Sequence, residues 1–194
     1  VNCALGGVGP NPIPLLEGAD HPPGSIADVT LDWPQHPVTL AIRALAVRFE
    51  LEWERYGSRV FALVGLGPES GVSSLAIGLG HTLGSRGRRL LLVECNLPRP
   101  GLAKVQGAIR RDPGLWEAIL HDALELESLM QRDPRRQLDM LALGAVSEDV
   151  LDRPAFLRLL ARFRDNYDLI LLDTAPLAED DFAYFAAAHA DAVL

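Results

Sequence analysis

The sequence predicts an α/β fold in which helices cover both faces of a mostly parallel central sheet. Four short apolar runs lack polar alternation, which is typical of strands buried on both faces. The runs are RVFALVG at 59–65, RLLLVEC at 89–95, QLDMLAL at 137–143 and YDLILLD at 167–173. Segments with helical periodicity separate them, and this alternation favours a parallel sheet. With 194 residues and 48% hydrophobic content, the chain can bury one substantial core.

The helical segments are assigned by apolar residues that recur every three or four positions. They are predicted at 38–56, 73–83, 114–130 in two pieces, 154–163 and 180–188.

The two ends of the chain differ in composition from its middle. Residues 1–37 hold seven of the fourteen prolines, so we interpret them as a linker or N-terminal arm with a short strand near 26–31. Residues 38–194 then form the folded domain. Residues 190–194 have the composition of a further strand, so we expect the natural domain to continue past them.

Charge and residue usage exclude several kinds of function. A net charge of -8 argues against sequence-independent binding to nucleic acid, which needs a surplus of lysine and arginine. No run of about 18 apolar residues predicts a membrane span. The cysteines, Cys3 and Cys95, suit a reducing compartment, and we expect Cys95 to be a small buried side chain. The five histidines lack the spacing of a zinc site. The sequence contains no GxSxG motif, so it lacks the nucleophile of a serine hydrolase of that type.

The stretch GPESGVSS at 67–74 has the character of a phosphate-binding loop. It follows a predicted strand and opens a predicted helix, whose first N–H groups and dipole attract anions. The residues expected to bind phosphate are Gly67, Ser70, Gly71, Val72, Ser73 and Ser74. A Gly/Ser turn between any apolar strand and a helix could look the same, so the loop alone leaves a purely structural role open.

The loop lacks the lysine that such loops normally use to reach the outer phosphates, because Val72 occupies its position. Each lost charge-assisted contact costs about 1.5–3 kcal/mol. The chain contains a single lysine, Lys104. A replacement cation must therefore be Lys104, an arginine such as Arg99, or a group from a different protein.

Two further strand ends resemble motifs of the bacterial tyrosine kinases (BY-kinases), the cytoplasmic partners of polysaccharide co-polymerases. LLVECNLPRP at 91–100 resembles the segment LLIDxDxRxP, and YDLILLDTAP at 167–176 resembles YDxIIxDxPP. GLWEAILHDALELESL at 114–129 is similar to the family's GLsdvL stretch. More distantly, the pattern is similar to the MinD and ParA ATPases. The resemblance implies a P-loop NTPase-like fold.

The chain departs from the family pattern at its chemically demanding positions. Glu94 and Asn96 replace the two aspartates of the second motif, and Pro98 replaces its arginine, with Arg99 one residue later. The third motif keeps its aspartate, Asp173. The helix at 38–55 lies where the family carries its ExxRxxR oligomerisation motif. In this helix, Leu40 occupies the position of the family's glutamate and Arg43 that of its first arginine. Ala46 occupies the position of the second arginine, and the nearest arginine is Arg48, two residues later.

The resemblance assigns candidate roles to these residues. Asp173, Glu94 and Asn96 occupy catalytic positions, and Ser73 and Asp173 would bind magnesium if a nucleotide binds. Asp173 lies at the carboxyl end of a strand, where α/β folds place ligand chemistry, although it could also cap the following turn. With a degenerate P-loop, we expect ATP or ADP with magnesium to bind weakly or not at all.

Together, these features predict a catalytically impaired BY-kinase-like domain, a pseudokinase, with a regulatory or scaffolding role in exopolysaccharide or capsule synthesis or export. The alternatives are an active tyrosine autokinase or ATPase with a non-standard cation, and a switch that binds nucleotide without hydrolysis. The resemblance implies a membrane polysaccharide co-polymerase or another export protein as partner, and it leaves homo-oligomers open. It also implies a cytoplasmic location, either free or tethered at the inner membrane. The RGRR cluster at 86–89 either complements a helix end or docks an acidic partner.

Overall fold

The computed structural model describes residues 26–67, 69–102, 113–121, 124–133, 137–145 and 152–194. In that part of the chain, the helices are α1 (Ile26–Asp32), α2 (Pro37–Tyr56), α3 (Val72–Gly84), α4 (Leu115–Leu120), α5 (Leu126–Leu129), α6 (Arg153–Asn166) and α7 (Asp181–Ala188). The strands are β1 (Val60–Val64), β2 (Leu90–Cys95), β3 (Gln131–Asp133), β4 (Leu138–Leu141), β5 (Leu169–Thr174) and β6 (Ala192–Val193). The predicted α/β class is confirmed.

The sheet has the strand order β3-β4-β2-β5-β1-β6. All described neighbours pair in parallel except β3, which is antiparallel to β4. Because parallel strands end at the same edge, the residues that follow β1, β2 and β5 meet there. This edge contains the predicted phosphate loop and the two motifs that end in acidic strand ends, at 91–100 and 167–176.

Each central strand is buried on both faces, which explains why the apolar runs show no polar alternation. Along β1, Val60 and Ala62 face one core cluster, whereas Phe61 and Leu63 face the other. The first cluster includes Phe156 of α6 together with side chains of α4 and α7. The second includes side chains of α1, α2 and α3.

Helix α1 corrects the prediction of a short strand near 26–31. Val29 and Thr30 are buried, at 1% and 3% exposure. The Thr39 hydroxyl of α2 has two possible acceptors for its one hydrogen, the carbonyls of Trp33 at 2.8 Å and Val29 at 3.1 Å. A Cβ on Gly78 of α3 would lie 3.1 Å from the Thr30 methyl, so this glycine allows the two helices to approach closely. Tertiary packing thus outweighs the β-branched composition of the segment.

The boundary drawn at residue 37 stays a prediction, because residues 1–25, including Cys3, lie outside the described part of the chain. At the other end, the expected further strand is confirmed as β6, in which Ala192 pairs with Phe61. Strand β3 was not predicted, since its three residues, Gln131–Asp133, are all polar. No helix among the described residues is long and apolar enough to cross a membrane.

Candidate functional site

A cavity of about 300 Å³ lies at the carboxyl edge of the sheet. It brings together all six residues predicted to contact phosphate, and the other lining residues come from the turns after β1, β2 and β5. The complete lining is Gly65, Gly67, Glu69, Ser70, Gly71, Val72, Ser73, Ser74, Asn96, Arg99, Gly101, Thr174 and Pro176. Three separate stretches of sequence therefore form one site.

The loop that enters α3 has the backbone shape of an anion site. Gly71 adopts a left-handed conformation with φ 81°, and its carbonyl accepts the first helical hydrogen bond from the Leu75 amide. No side chain of the described residues caps this end of the helix. The N–H groups of its first turn also lack partners within the helix, so they remain able to bind an anion.

Two glycines permit close approaches within the loop. A Cβ on Gly65 would collide with the Ser70 hydroxyl oxygen, which lies over the end of β1. A Cβ on Gly101 would lie 2.5 Å from the Ser73 hydroxyl oxygen. The chain after β2 therefore passes directly against the start of α3.

Val72 packs at the start of α3. Its side chain is half-buried and packs against the apolar cluster beneath α3, as do those of Leu75 and Leu194. These three also line an adjoining, largely apolar cavity of about 270 Å³ with Leu63 and other apolar neighbours. The chain's single lysine, Lys104, lies outside the described residues.

The Glu94 carboxylate is fully engaged by the backbone. Glu94 is 2% exposed, and its two oxygens accept hydrogen bonds from the amides of Leu102 (2.8 Å) and Leu143 (3.1 Å). It thereby joins the segments that follow β2 and β4. This geometry favours a structural role for Glu94, and its catalytic role stays a prediction.

The Asp173 carboxylate is in the opposite situation. It is completely buried, and neither oxygen has a partner at hydrogen-bond geometry among the described residues. Burial raises the pKa of Asp173 to about 7; the Ser73 hydroxyl lowers this pKa, and the charge of Glu94 raises it. A buried carboxyl without a donor either keeps a proton or gains a cation.

Magnesium fits this position in part. Carboxylate and hydroxyl oxygens are ligands that Mg²⁺ prefers, usually completed by water and phosphate oxygens. Asp173 and Ser73 would supply such oxygens. Among the described residues, no group of three or more histidine, cysteine, aspartate and glutamate side chains is arranged to hold a metal by itself. A metal here would thus depend on the phosphates of a bound nucleotide.

Asn96 and Arg99 form a closed turn after β2. The Asn96 side-chain oxygen accepts a hydrogen bond from the Arg99 amide at 3.1 Å. The Arg99 guanidinium pairs with Glu179, with Nη1 2.6 Å from Oε2. Glu179 lies in the turn after β5. The amide oxygen of Asn96 is therefore used to position the turn, and its catalytic role also stays a prediction.

Several residues outside the cavity have ordinary structural roles. Cys95 is buried as predicted, and burial followed by the charges of Asp173, Glu94 and Asp180 raises the pKa of its thiol well above the usual value. The arginines of the RGRR cluster all have partners within the chain. Arg86 pairs with Glu50, Arg88 pairs with Glu54 and stacks on Trp53, and Arg89 pairs with Asp168. These contacts favour a structural role for the cluster.

The positions of the family's oligomerisation motif have mixed environments on α2. Leu40 and Arg43 are exposed, Arg48 is half-buried, and Ala46 is buried in the core. An arginine at the position of Ala46 would have to enter the core.

The site also contains residues that were not predicted from the sequence, among them Thr174, Gly101 and Glu179. Thr174 lines the cavity and donates its hydroxyl hydrogen bond to the Leu63 carbonyl. Gly101 contacts Ser73, and Glu179 pairs with Arg99. The only sequence signal for Thr174 is its place directly after Asp173. Gly101 and Glu179 carry no such signal, since their roles depend on contacts between distant segments.

Comparison with known proteins identifies the relationship. No protein-family profile matches the chain. EpsB of Ralstonia nicotianae, which bears the name of a tyrosine-protein kinase, is 30% identical over 158 residues, covering 79% of this chain and 21% of EpsB. The chain is a homologue of the bacterial tyrosine kinases. The succinoglycan biosynthesis transport protein ExoP of Rhizobium meliloti is 29% identical over 143 residues, covering 71% of this chain and 18% of ExoP.

Solved structures confirm the P-loop NTPase-like fold of this BY-kinase homologue. The chimerical protein CapA2B2 superposes with a TM-score of 0.75 at 17% identity, covering 86% of this chain and 74% of that chain. The kinase domain of Escherichia coli ETK gives 0.70 at 21% identity, covering 85% and 65%. MinD of Pyrococcus horikoshii, solved with Mg-ADP, gives 0.56 at 20% identity, covering 70% and 56%. The chain spans about a fifth of the length of the curated relatives.

Proposed function

We propose that this BY-kinase homologue is a catalytically impaired domain, a pseudokinase, with a regulatory or scaffolding role in bacterial exopolysaccharide or capsule synthesis or export. The single observation that carries this proposal is the environment of Val72. The position that needs a long cation holds a short apolar side chain that is half-buried against the apolar cluster beneath α3. From the described residues, the loop would offer phosphate amides, hydroxyls and a neighbouring arginine.

The second motif supports the same conclusion. Both of its side chains that could approach a metal are used internally, Glu94 by two amides and Asn96 by the Arg99 amide. Of the acidic motif residues, Asp173 alone has a carboxylate to which no described backbone amide donates, and the Ser73 hydroxyl is its neighbouring donor. Binding of Mg-nucleotide is therefore weak at best, and efficient phosphoryl transfer, which depends on positioning and charge stabilisation, is lost.

The proposed partner is a membrane polysaccharide co-polymerase or another protein of the export machinery. The support is the similarity to ExoP, which is named as a succinoglycan biosynthesis transport protein. The domain would act in the cytoplasm and be held at the inner membrane by that partner, alone or as a homo-oligomer.

A second candidate function is favoured by Arg99, which lines the cavity. A guanidinium at this position could replace the missing lysine in part. The chain would then be an active autokinase with a non-standard cation, or a switch that binds ADP or ATP without hydrolysis and docks differently in each state.

A turnover assay separates these functions. The purified chain is incubated with Mg-ATP, and both phosphate release and phosphotyrosine are measured beside Asp173→Ala. We expect both signals to equal the background of the variant. Turnover that disappears in Asp173→Ala would reject the pseudokinase. Calorimetric titration with Mg-ATP then distinguishes a switch, which binds, from a scaffold, which does not.

A further inference from the structure

The charges that line the cavity are few. Among its described lining residues, Glu69 and Arg99 are the charged side chains, and the others are glycines, small hydroxyl residues and neutral side chains. Of the described side chains, one guanidinium, that of Arg99, would therefore meet a phosphate in the cavity. The chemistry of guanidinium suits it for this contact, since it binds phosphate oxygens in pairs and never loses its charge.

The backbone fixes Arg99 next to the phosphate loop. Its amide is held by the Asn96 side chain at 3.1 Å, directly after β2. Two residues later, Gly101 passes against the Ser73 hydroxyl, too close for any side chain to fit. These two contacts on either side of Arg99 hold its turn beside the first turn of α3.

The guanidinium already has a partner, the Glu179 carboxylate at 2.6 Å. Both side chains are partly exposed, at 50% for Arg99 and 32% for Glu179. An ion pair so exposed to water is weak, because the solvent screens the two charges and because holding both side chains in one geometry costs conformational entropy. A phosphate with two charged oxygens can therefore displace the carboxylate.

We infer that Arg99 is the side chain that binds the phosphates of a nucleoside di- or triphosphate in this cavity, and that Glu179 competes with those phosphates for it. The inference rests on the proposed function in one respect, namely that the cavity descends from a nucleotide site. It adds a regulatory contact: Glu179 lowers the affinity of a site already weakened at Val72. Release of Glu179, which lies in the turn after β5, would raise that affinity.

The test compares Mg-ADP and Mg-ATP affinity, by calorimetry, in Glu179→Gln, Arg99→Ala, the double variant and the original chain. Glu179→Gln is expected to tighten binding about two- to fivefold, the range for an exposed ion pair. Arg99→Ala is expected to weaken it at least about fivefold. In the Arg99→Ala background, Glu179→Gln should produce no gain. The matched control is Glu54→Gln, which removes an equal charge from the exposed partner of Arg88 and should change nothing.

The outcomes distinguish this inference from the proposed function. If Glu179→Gln raises nucleotide affinity equally with and without Arg99, the gain comes from the change in net charge alone. That result would overturn the inference. The absence of binding by both the original chain and Glu179→Gln at several millimolar nucleotide would also overturn it, while the pseudokinase proposal would stand. Efficient ATP turnover by the original chain would reject the pseudokinase proposal, and the Arg99 and Glu179 variants would still decide the inference.

Discussion

The Cα atoms of Glu94 and Asp173 are register partners in the neighbouring parallel strands β2 and β5, yet their carboxylates have opposite environments. Glu94 accepts hydrogen bonds from two buried amides, whereas no described backbone amide donates to Asp173, whose neighbouring donor is the Ser73 hydroxyl. Both are nearly or fully buried. One carboxylate therefore stabilises the edge of the sheet, and the other is available to a proton or a cation.

Replacement of Glu94 should destabilise the fold. In Glu94→Ala, the amides of Leu102 and Leu143 lose their acceptor in a buried place, at about 1–3 kcal/mol each. We expect the free energy of unfolding in urea to fall by about 2–5 kcal/mol. Glu54→Ala on the exposed side of α2 is the control, with an expected change within about 0.5 kcal/mol. Unchanged stability in Glu94→Ala would contradict the structural role.

The buried acid Asp173 should make stability depend on pH. Its pKa, about 7 in the folded chain, is raised above its ordinary value of 3.8. A raised pKa stabilises the fold fully below the unfolded pKa, and this stabilisation is lost as pH rises through the folded pKa. Between about pH 4 and pH 7, the original chain should lose about 1.4 kcal/mol per pH unit relative to Asp173→Asn.

Urea unfolding of both proteins at pH 5, 6, 7 and 8 measures this difference. Only the slope is compared, because an asparagine at this position has its own hydrogen-bond requirements. Magnesium bound to the Asp173 carboxylate would favour its charged form, so millimolar Mg²⁺ should flatten the slope. Parallel pH profiles for the two proteins would show that the Asp173 carboxyl is ionised normally.

Asp191 should stabilise the start of strand β1. Its side chain accepts hydrogen bonds from the amides of Arg59 and Val60 and pairs with both terminal nitrogens of Arg164. Burial alone would raise the pKa of Asp191, but these hydrogen bonds outweigh burial and lower the pKa. A depressed pKa gives stability that is present above the unfolded pKa and is lost as pH falls through the folded pKa.

Asp191→Ala should therefore lower the free energy of unfolding by about 2–4 kcal/mol at pH 7. The difference from the original chain should shrink below about pH 4. Asp165→Ala is the control, because Asp165 is exposed near the end of the adjacent helix α6. A constant difference between pH 7 and pH 3 would exclude the ionised carboxylate as the cause.

The sequence predicts the central sheet well because each core strand is a continuous apolar run. It fails at α1, where β-branched residues suggest a strand but contacts of Val29 and Thr30 with distant helices decide the structure. It also fails at β3, since a three-residue polar strand has no periodicity to detect. Local patterns thus identify elements with their own burial signal and miss those held by tertiary contacts.

The candidate site divides in the same way. The loop at 67–74 is recognisable because backbone geometry requires glycine and small residues in sequence. The pairing of Arg99 with Glu179 is not recognisable, since the two residues lie 80 positions apart. The sequence also does not show whether Glu94 accepts hydrogen bonds from two amides or lines a metal site. Such distinctions depend on side-chain direction, which only the folded structure provides.

Val72→Lys should restore nucleotide affinity. A lysine at the start of α3 would place an ammonium beside the amides that face the cavity, and one charge-assisted contact is worth about 1.5–3 kcal/mol. The dissociation constant for Mg-ATP should therefore fall at least about tenfold in calorimetry. Val72→Met is the matched control, because methionine is unbranched and comparably long but uncharged. A folded Val72→Lys protein that gains no more than Val72→Met would mean that the cavity no longer accepts a polyphosphate.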